Sequence, residues 1–410
     1  MADQSNSNAS STPEPDFGRP FRLTADDLFS DLLWPKLFRV PKLALRADRI
    51  GLAVLLILLI GFFDQTLAAI ANTEEDPAQP VVEMLVARFA QSQSAAVESL
   101  VGLAVGDALL LGWSGTWNSI TSTFNDAPWR ASFVIPFAFV LYIMFAVGIS
   151  RMAVEDFARG KSTRWTDGLV WAIKGLSSAL VAHLIPLFVI GLITAVLFLG
   201  GWVLLGVPFL NLVGSILSIL GVILAFIAVL LLIGFGLGAP MLSPAIASEG
   251  FDGIEAMQRI YSYIFSRPAR FAIYSVVLFV QFIIVGSIAA ALASATRGFA
   301  SWGMGLMFDW TNNQDGLAVA QGIATEEVGF SGEWAADVVH LMLRLPALFV
   351  GGFMLCYWIS GWSVQYLLLR QAADGQDVTD IYVPGEMEAR IERALASRVA
   401  GSEQAQSDED

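Results

Sequence analysis

The chain has 410 residues, of which 56% are hydrophobic and 15% are charged, and its formal net charge is -14. Soluble domains carry about a quarter charged residues, so this composition excludes an ordinary soluble domain. The acidic balance argues against a nucleic-acid partner, because binding to phosphates needs a basic face. One cysteine and two histidines exclude an intramolecular disulfide and a Cys/His zinc cluster. We therefore predict no metal, no cofactor and no nucleic acid as a partner.

The first 49 residues precede the first apolar run and divide into two parts. Residues 1–23 are rich in Ser, Asn, Asp and Pro, a composition typical of disordered segments. Residues 24–49 interleave apolar side chains with basic ones at spacings of three or four, namely Lys36, Arg39, Lys42, Arg46 and Arg49. This pattern predicts a basic amphipathic segment beside the membrane. The segment either binds anionic lipid or acts as a topology signal with no lipid preference.

Long apolar stretches predict membrane-spanning helices. Residues Gly175–Ser248 contain no Asp, Glu, Lys or Arg, and about 20 apolar residues suffice to span roughly 30 Å of hydrocarbon. That stretch could also cross the membrane three times. The predicted spans are Ile50–Ala71, Ala131–Val154, Leu176–Leu204, Leu212–Ala239, Phe271–Ala295 and Leu345–Leu369. We therefore predict an all-α polytopic helical membrane protein over residues 50–370, with about six transmembrane helices and amphipathic interfacial helices.

The basic residues are sorted between the two ends of these spans. When Arg151, near the end of the second span, is counted with the second connection, nineteen lysines and arginines precede the first span, lie in the second and fourth connections or follow the last span, and four lie elsewhere. The positive-inside rule then places both termini in the cytoplasm, with the spans in a bacterial cytoplasmic membrane. The outer connections 72–130 and 296–344 are acidic, and residues 371–410 form an acidic tail, largely disordered. Helical spacing within 72–130 predicts helices that rest on the outer surface or form a lid.

The sequence of the fourth connection, between the fourth and fifth predicted spans, predicts an amphipathic helix that lies on the inner membrane surface. Asp252 and Glu255 form an N-terminal capping pattern, and Pro268 ends the helix. Glu255 and Arg259 are four residues apart and can form an ion pair. The apolar face of this helix is formed by Ile254, Met257, Tyr261, Ile264 and Phe265.

Three polar residues inside predicted spans, Asp64, His183 and Gln281, are candidate functional residues. Ionisable groups are costly inside a membrane and often mark transport paths. A proton-coupled carrier could use an acid and a histidine, because histidine titrates near neutral pH. The alternative is hydrogen bonding between helices, a common role of His and Gln in membranes. No cluster of polar residues in the sequence predicts a catalytic site.

The segment SEGFDGIEAMQR, from Ser248 to Arg259, leads into an apolar span. It resembles the linker between spans in a loose group of uncharacterised bacterial multi-pass membrane protein families. That group is akin to the membrane domain of some glycerophosphodiester phosphodiesterases. The end of the last predicted span, YLLLR from Tyr366 to Arg370 with Asp374-Gly375 after it, resembles the same proteins. The resemblance covers the C-terminal half and implies a helical membrane domain with no established activity, because no segment here is long enough for a phosphodiesterase barrel.

Three classes of function fit these features. A membrane scaffold or assembly protein would bind protein partners or a second copy of itself through the acidic outer connections and surface helices. A small-solute permease would need a polar path past Asp64, His183 and Gln281. A lipid-acting enzyme would need a catalytic cluster. We favour the scaffold, with the permease as the alternative and the enzyme third, because polar residues within the spans are sparse. Membrane lipids are expected partners in each case.

Overall fold

The computed structural model describes residues 33–72, 78–102, 104–250, 252–323 and 329–383. The predicted disordered residues 1–23 and the tail beyond residue 383 lie outside these ranges. A short 3-10 helix, Trp34–Arg39, is followed by α1 (Val40–Ala44), α2 (Ala47–Ala71), α3 (Val81–Val101), α4 (Val105–Asp126), α5 (Pro128–Arg159), α6 (Trp165–Gly206), α7 (Leu210–Glu249), α8 (Gly253–Ser266), α9 (Pro268–Trp310), α10 (Gln314–Gln321) and α11 (Gly329–Asp374). In the described chain, the helices long and apolar enough to cross a membrane are α2, α5, α6, α7, α9 and α11. The prediction of an all-α polytopic membrane protein is confirmed.

Four of the spanning helices are longer than a bilayer requires. Helices α6, α7, α9 and α11 contain 42, 40, 43 and 46 residues, or about 60–70 Å at a rise of 1.5 Å per residue. A hydrocarbon core is about 30 Å thick, so each helix continues well beyond it. The predicted spans captured only the apolar part of each helix. The uncharged stretch Gly175–Ser248 is covered by two long helices rather than three.

The bundle is packed most densely where the basic connections meet, and we call this part of the molecule the basic end. Three helical segments are buried on every side there: Phe145–Val154 of α5, Met241–Ser248 of α7 and Gly361–Arg370 of α11. Leu37 and Val40, from the 3-10 helix and α1, pack against them. Farther along, α6 and α7 expose apolar side chains. The basic end therefore has a protein core of its own, whereas the remote halves of these helices suit lipid.

Helices α3 and α4 form an antiparallel hairpin in the connection between the first two spans. Arg88 of α3 pairs with the carboxylate of Asp126 and donates to the Thr123 hydroxyl of α4 at 3.1 Å. The Trp113 ring of α4 lies 3.7 Å from the position that a Cβ would take on Gly236 of α7. The helices indicated by the spacing in this connection are thus present, and their hairpin reaches back to the bundle.

The helix predicted in the fourth connection is α8, but its buried face matches the predicted one only in part. Ile254 and Phe265 are 43% and 55% exposed. Asp252 occupies the N-cap position that the pattern predicts, but its side chain makes no capping hydrogen bond. The buried residues are Gly253, Ala256, Ile260, Tyr263 and Ile264, of which only Ile264 belongs to the predicted apolar face. Small residues set this orientation, because they allow α8 to pack closely against α6 and α7, a contact that hydrophobicity alone does not reveal.

Replacing Gly253 with alanine should loosen this packing. A Cβ at Gly253 would collide with the carbonyl oxygen of Ser178 and lie 2.8 Å from the backbone nitrogen of Ala182. We expect Gly253→Ala to lower the free energy of unfolding by about 1–3 kcal/mol, because backbone atoms cannot rotate away. Denaturation in mixed detergent micelles measures the change. Gly200→Ala is the matched control, since nothing lies within 4 Å of a Cβ there; equal losses would contradict close packing of α8 on α6.

Candidate functional site

The basic end contains three arginines that are almost wholly withdrawn from solvent. Arg49 of α2, Arg151 of α5 and Arg370 of α11 are each 1% exposed. Burying a guanidinium group is costly unless carboxylates and carbonyl oxygens surround it. Each of the three has such partners, and these partners come from different parts of the chain. We call this set of arginines and their partners the arginine network.

Arg49 joins α2 to α1 and α5. Its guanidinium group donates to the backbone carbonyls of Leu43 at 2.5 Å and Met152 at 2.9 Å. Its Nη2 also lies 2.6 Å from the Asp156 carboxylate. Arg46 donates to the same carboxylate at 3.2 Å. Asp156 thus compensates a buried positive charge and anchors the segment that precedes the first span.

Arg151 joins α5 to α7 and to the segment that follows α11. Its side chain pairs with Glu155 of the same helix at 2.7 Å. Its Nη1 donates to the backbone carbonyls of Ala247 at 3.0 Å and Tyr382 at 2.7 Å. The guanidinium carbon lies 4.3 Å from the centre of the Trp171 ring, a geometry in which the ring face attracts the cation. One buried side chain therefore holds three parts of the chain together.

Arg370 joins α11 to α7 and to the segment that follows α11. Its Nη2 donates to the backbone carbonyls of Asp377 at 3.0 Å and Asp380 at 2.6 Å. Its Nη1 lies 3.3 Å from a carboxylate oxygen of Glu249, at the end of α7. The Tyr366 hydroxyl donates to that same oxygen at 2.5 Å. Glu249 therefore accepts a hydrogen bond from Tyr366 and forms an ion pair with Arg370, both of α11.

The ion pair predicted between Glu255 and Arg259 is present at 3.3 Å. The closer partner of Arg259, however, is Glu249 at 2.9 Å. Sequence reasoning missed Glu249 because it precedes α8 and has no helical spacing to Arg259. Nearby, the Tyr263 hydroxyl donates to Asp374. Burial, followed by this contact with the Asp374 carboxylate, raises the pKa of Tyr263 well above its usual value, so its hydroxyl keeps its proton at neutral pH.

Residues 375–383 fold back over the basic end. The backbone N–H of Tyr382 donates to the carbonyl of Ser248 at 2.8 Å. Its ring stands edge-on to Trp171, with ring centroids 6.3 Å apart. Gly250 turns the chain at φ 67°, and a Cβ there would lie 2.7 Å from the Tyr382 ring, so glycine is needed both for the turn and for the contact. The first part of the predicted tail is therefore packed on the helix ends.

Asp64, a candidate from the sequence, binds the start of α3. Its Oδ1 accepts from the N–H of Val81 at 2.9 Å, and its Oδ2 accepts from the N–H of Val82 at 2.7 Å. The side chain is 1% exposed. A carboxylate in this position satisfies N–H groups that have no partner within the helix and complements the helix dipole. The contact explains how this acid is stabilised within a span; its role in transport stays a prediction.

Replacing Asp64 with alanine should therefore destabilise the hairpin of α3 and α4. We expect the free energy of unfolding to fall by about 1–2 kcal/mol, since two N–H groups lose their acceptor. Asp64→Asn keeps one acceptor oxygen and should lose less. Asp107→Ala, which removes an exposed acid in the first turn of α4, is the control. Equal stability of the Asp64→Ala protein and the parent in mixed micelles would contradict the capping role.

His183 and Gln281 have separate surroundings. The Nδ1 of His183 lies 2.7 Å from the Ala179 carbonyl of its own helix. Its ring is edge-on to two phenylalanines, Phe139 and Phe235. The Gln281 Oε1 accepts from the Tyr357 hydroxyl of α11 at 3.1 Å. In the described chain no hydrogen bond joins these two residues to each other or to Asp64, so the three candidates do not form one site.

The fold defines the class of this chain as a multi-pass α-helical membrane protein. Three of its buried arginines, Arg49, Arg151 and Arg370, lie in a packed core at one end of the bundle. No protein family, no curated protein and no solved structure matches the chain.

Proposed function

We propose that the chain is a scaffold or assembly protein of the bacterial cytoplasmic membrane, with its basic end and both termini in the cytoplasm. The concentration of lysines and arginines at the basic end supports this orientation. The scaffold role depends mainly on one observation. Parts of α9 and α11, together with α10, project from the opposite end as a helical unit that exposes aromatic and acidic side chains.

This projecting unit comprises residues 297–323 and 329–344. Arg297 ends the uncharged run of α9, and the helix continues to Trp310, about 20 Å farther at 1.5 Å per residue. Helix α10 folds back between the two long helices, where the Nδ1 of His340 lies 3.2 Å from the Gly322 carbonyl. The exposed aromatic residues of the unit are Phe299, Trp302, Phe308, Trp310, Phe330 and Trp334. Its exposed acids are Asp309, Asp315, Glu333 and Asp337.

The combination of aromatic and acidic side chains suits a protein partner. Large aromatic residues are enriched in protein interfaces, where they contribute much of the binding energy. The acids would favour a partner with a basic surface and would steer its approach. Because Arg370 fixes the other end of α11 in the arginine network, and Phe271 and Tyr274 of α9 pack in the same core, the projecting unit is held at a defined position above the membrane.

Site-specific crosslinking in the native membrane tests the scaffold role. A photoreactive residue at Trp302 or Trp334 should give a discrete protein adduct. The same residue at Phe188, exposed in the apolar part of α6, should give none. The adduct should disappear when Asp309 and Asp315 are both replaced by lysine, because the charge complementarity is then reversed. An identical adduct at Phe188, or an adduct that is insensitive to the lysine substitutions, would contradict the proposal.

The permease remains the second candidate, on the strength of one observation. Gln281 is buried in α9 beside Tyr357, and its Nε2 has no hydrogen-bond partner in the described chain. An unsatisfied amide at this depth could contact a passing polar solute. Gln281→Leu distinguishes the two functions in a deletion strain. The scaffold proposal predicts full complementation, whereas a stable but inactive variant would favour the permease.

A further inference from the structure

A cavity of about 330 Å³ lies in the projecting unit, between α9 and α10. This volume is within the usual range of small-molecule sites, about 300–1,000 Å³. Gly316 of α10 lies beside Phe308 of α9, and Leu317 lies beside Gly305, so α10 folds back antiparallel to α9. The described residues that line the cavity are Ser301, Trp302, Gly305, Leu306, Asp309, Leu317 and Gln321.

The charge of the cavity is negative. Asp309 is the one ionisable side chain among the described residues that line it. Within the described chain, its carboxylate takes part in no ion pair and no side-chain hydrogen bond. Residues 324–328, which follow α10 closely in sequence, contain two glutamates and no lysine or arginine. The cavity therefore offers an uncompensated carboxylate to a cationic ligand.

The aromatic side chain beside this carboxylate favours an organic cation. Trp302 precedes Asp309 by seven residues, so the two share one face of α9, about 10 Å apart along its axis. The Trp302 ring packs against Phe299, with ring centroids 5.6 Å apart. An indole ring attracts an ammonium group, and it also packs against an alkyl chain. A Ca²⁺ ion fits poorly, since it takes about 6–8 oxygen ligands, more than these lining side chains supply.

The end of the cavity remote from Asp309 is polar but uncharged. Ser301 lies eight residues from Asp309, or about 12 Å along the helix. Its hydroxyl donates to the Gly298 carbonyl at 3.1 Å, so its oxygen can still accept from a ligand. Because α10 is antiparallel to α9, Gln321 lies at the same end, and its amide both donates and accepts. A ligand that reaches from Asp309 to this end needs a cationic group and a neutral polar group, separated by a short apolar chain.

We propose that this cavity binds a small primary amine that carries a hydroxyl or amide group at the other end of a short alkyl chain. The ammonium group pairs with Asp309, and the alkyl chain packs against Trp302. Such an amine is charged at neutral pH, as the lysine side chain is. Binding of a free amine needs no protein partner, so this proposal and the scaffold role can fail separately.

Calorimetric titration of the purified full chain in a neutral detergent at pH 7 tests the proposal. The probe is aminopentanol, with its amino and hydroxyl groups at opposite ends of the chain. The matched control is pentanediol, in which a second hydroxyl replaces the ammonium group. Saturable binding of aminopentanol is expected, with no binding of pentanediol.

Variants of the projecting unit connect the binding to this cavity. Asp309→Asn should weaken binding of aminopentanol at least about tenfold, since it removes a charge-assisted contact. Asp337→Asn makes the same change at an exposed acid that does not line the cavity and should leave the affinity unchanged. Trp302→Leu should weaken binding about threefold and repeats the test should Asp309→Asn fail to fold. Equal binding of pentanediol, equal weakening by the Asp337 variant, or no binding of aminopentanol would overturn the proposal.

Discussion

Replacing Asp156 with alanine should lower the free energy of unfolding by about 3–5 kcal/mol, because it leaves a buried positive charge without its carboxylate. Arg49 is 1% exposed, and its Nη2 lies 2.6 Å from Asp156. Water cannot readily take the place of the lost carboxylate. Denaturation of the purified protein in mixed detergent micelles measures the loss, and reduced accumulation in the membrane should accompany it.

The control for this prediction is another carboxylate that pairs with an arginine. Glu255 lies 3.3 Å from Arg259, but its side chain is 50% exposed. Glu255→Ala should therefore cost only about 0–1 kcal/mol, as is typical of surface ion pairs. Similar losses in the two variants would show that burial does not set the strength of the Asp156 contact.

Removing residues 376–383 together with the rest of the tail should have the second-largest effect. The deletion takes three backbone carbonyls, those of Asp377, Asp380 and Tyr382, away from two buried arginines. Each buried donor left without an acceptor costs about 1–3 kcal/mol, so the total loss should be several kcal/mol. Truncation after Gly375 produces this protein.

Truncation after Val383 is the matched control, because it keeps every contact of residues 375–383 with the helix ends. Both proteins lose the end of the tail, and they differ only in the segment that binds Arg151 and Arg370. Thermal unfolding in one detergent compares them directly. Equal transition temperatures would mean that residues 376–383 contribute nothing to the core of the basic end.

The membrane spans could be predicted because their signal is local. The uncharged stretch Gly175–Ser248 must avoid water wherever it lies in the fold, and two helices cover it. The lengths of the helices could not be predicted in this way. Arg297 interrupts the uncharged run of α9, and the helix continues beyond it to Trp310, so a search for uncharged segments ends too early. The orientation of α8 was also missed, because it depends on the space that Gly253 leaves beside α6.

The arginine network was beyond prediction for a different reason. Most acceptors of Arg49, Arg151 and Arg370 are backbone carbonyls, and a carbonyl acceptor has no signature in the sequence. The carboxylate partner of Arg370, Glu249, is far from it along the chain. One signal was present: Arg151 falls inside a predicted span, where a charge needs a partner. The sequence singled out Asp64 for the same reason, and the structure supplies its partner in the N–H groups of α3.

Labelling of single introduced cysteines tests most directly whether the basic end and the projecting unit lie on opposite sides of a membrane. Ser162, between α5 and α6, and Ser331, in the first turn of α11, are both exposed, whereas the native Cys356 is buried. In intact spheroplasts, a membrane-impermeant maleimide should label Ser331→Cys and should spare Ser162→Cys until the cells are permeabilised. Labelling of both positions before permeabilisation, or of Ser162→Cys alone, would contradict the account.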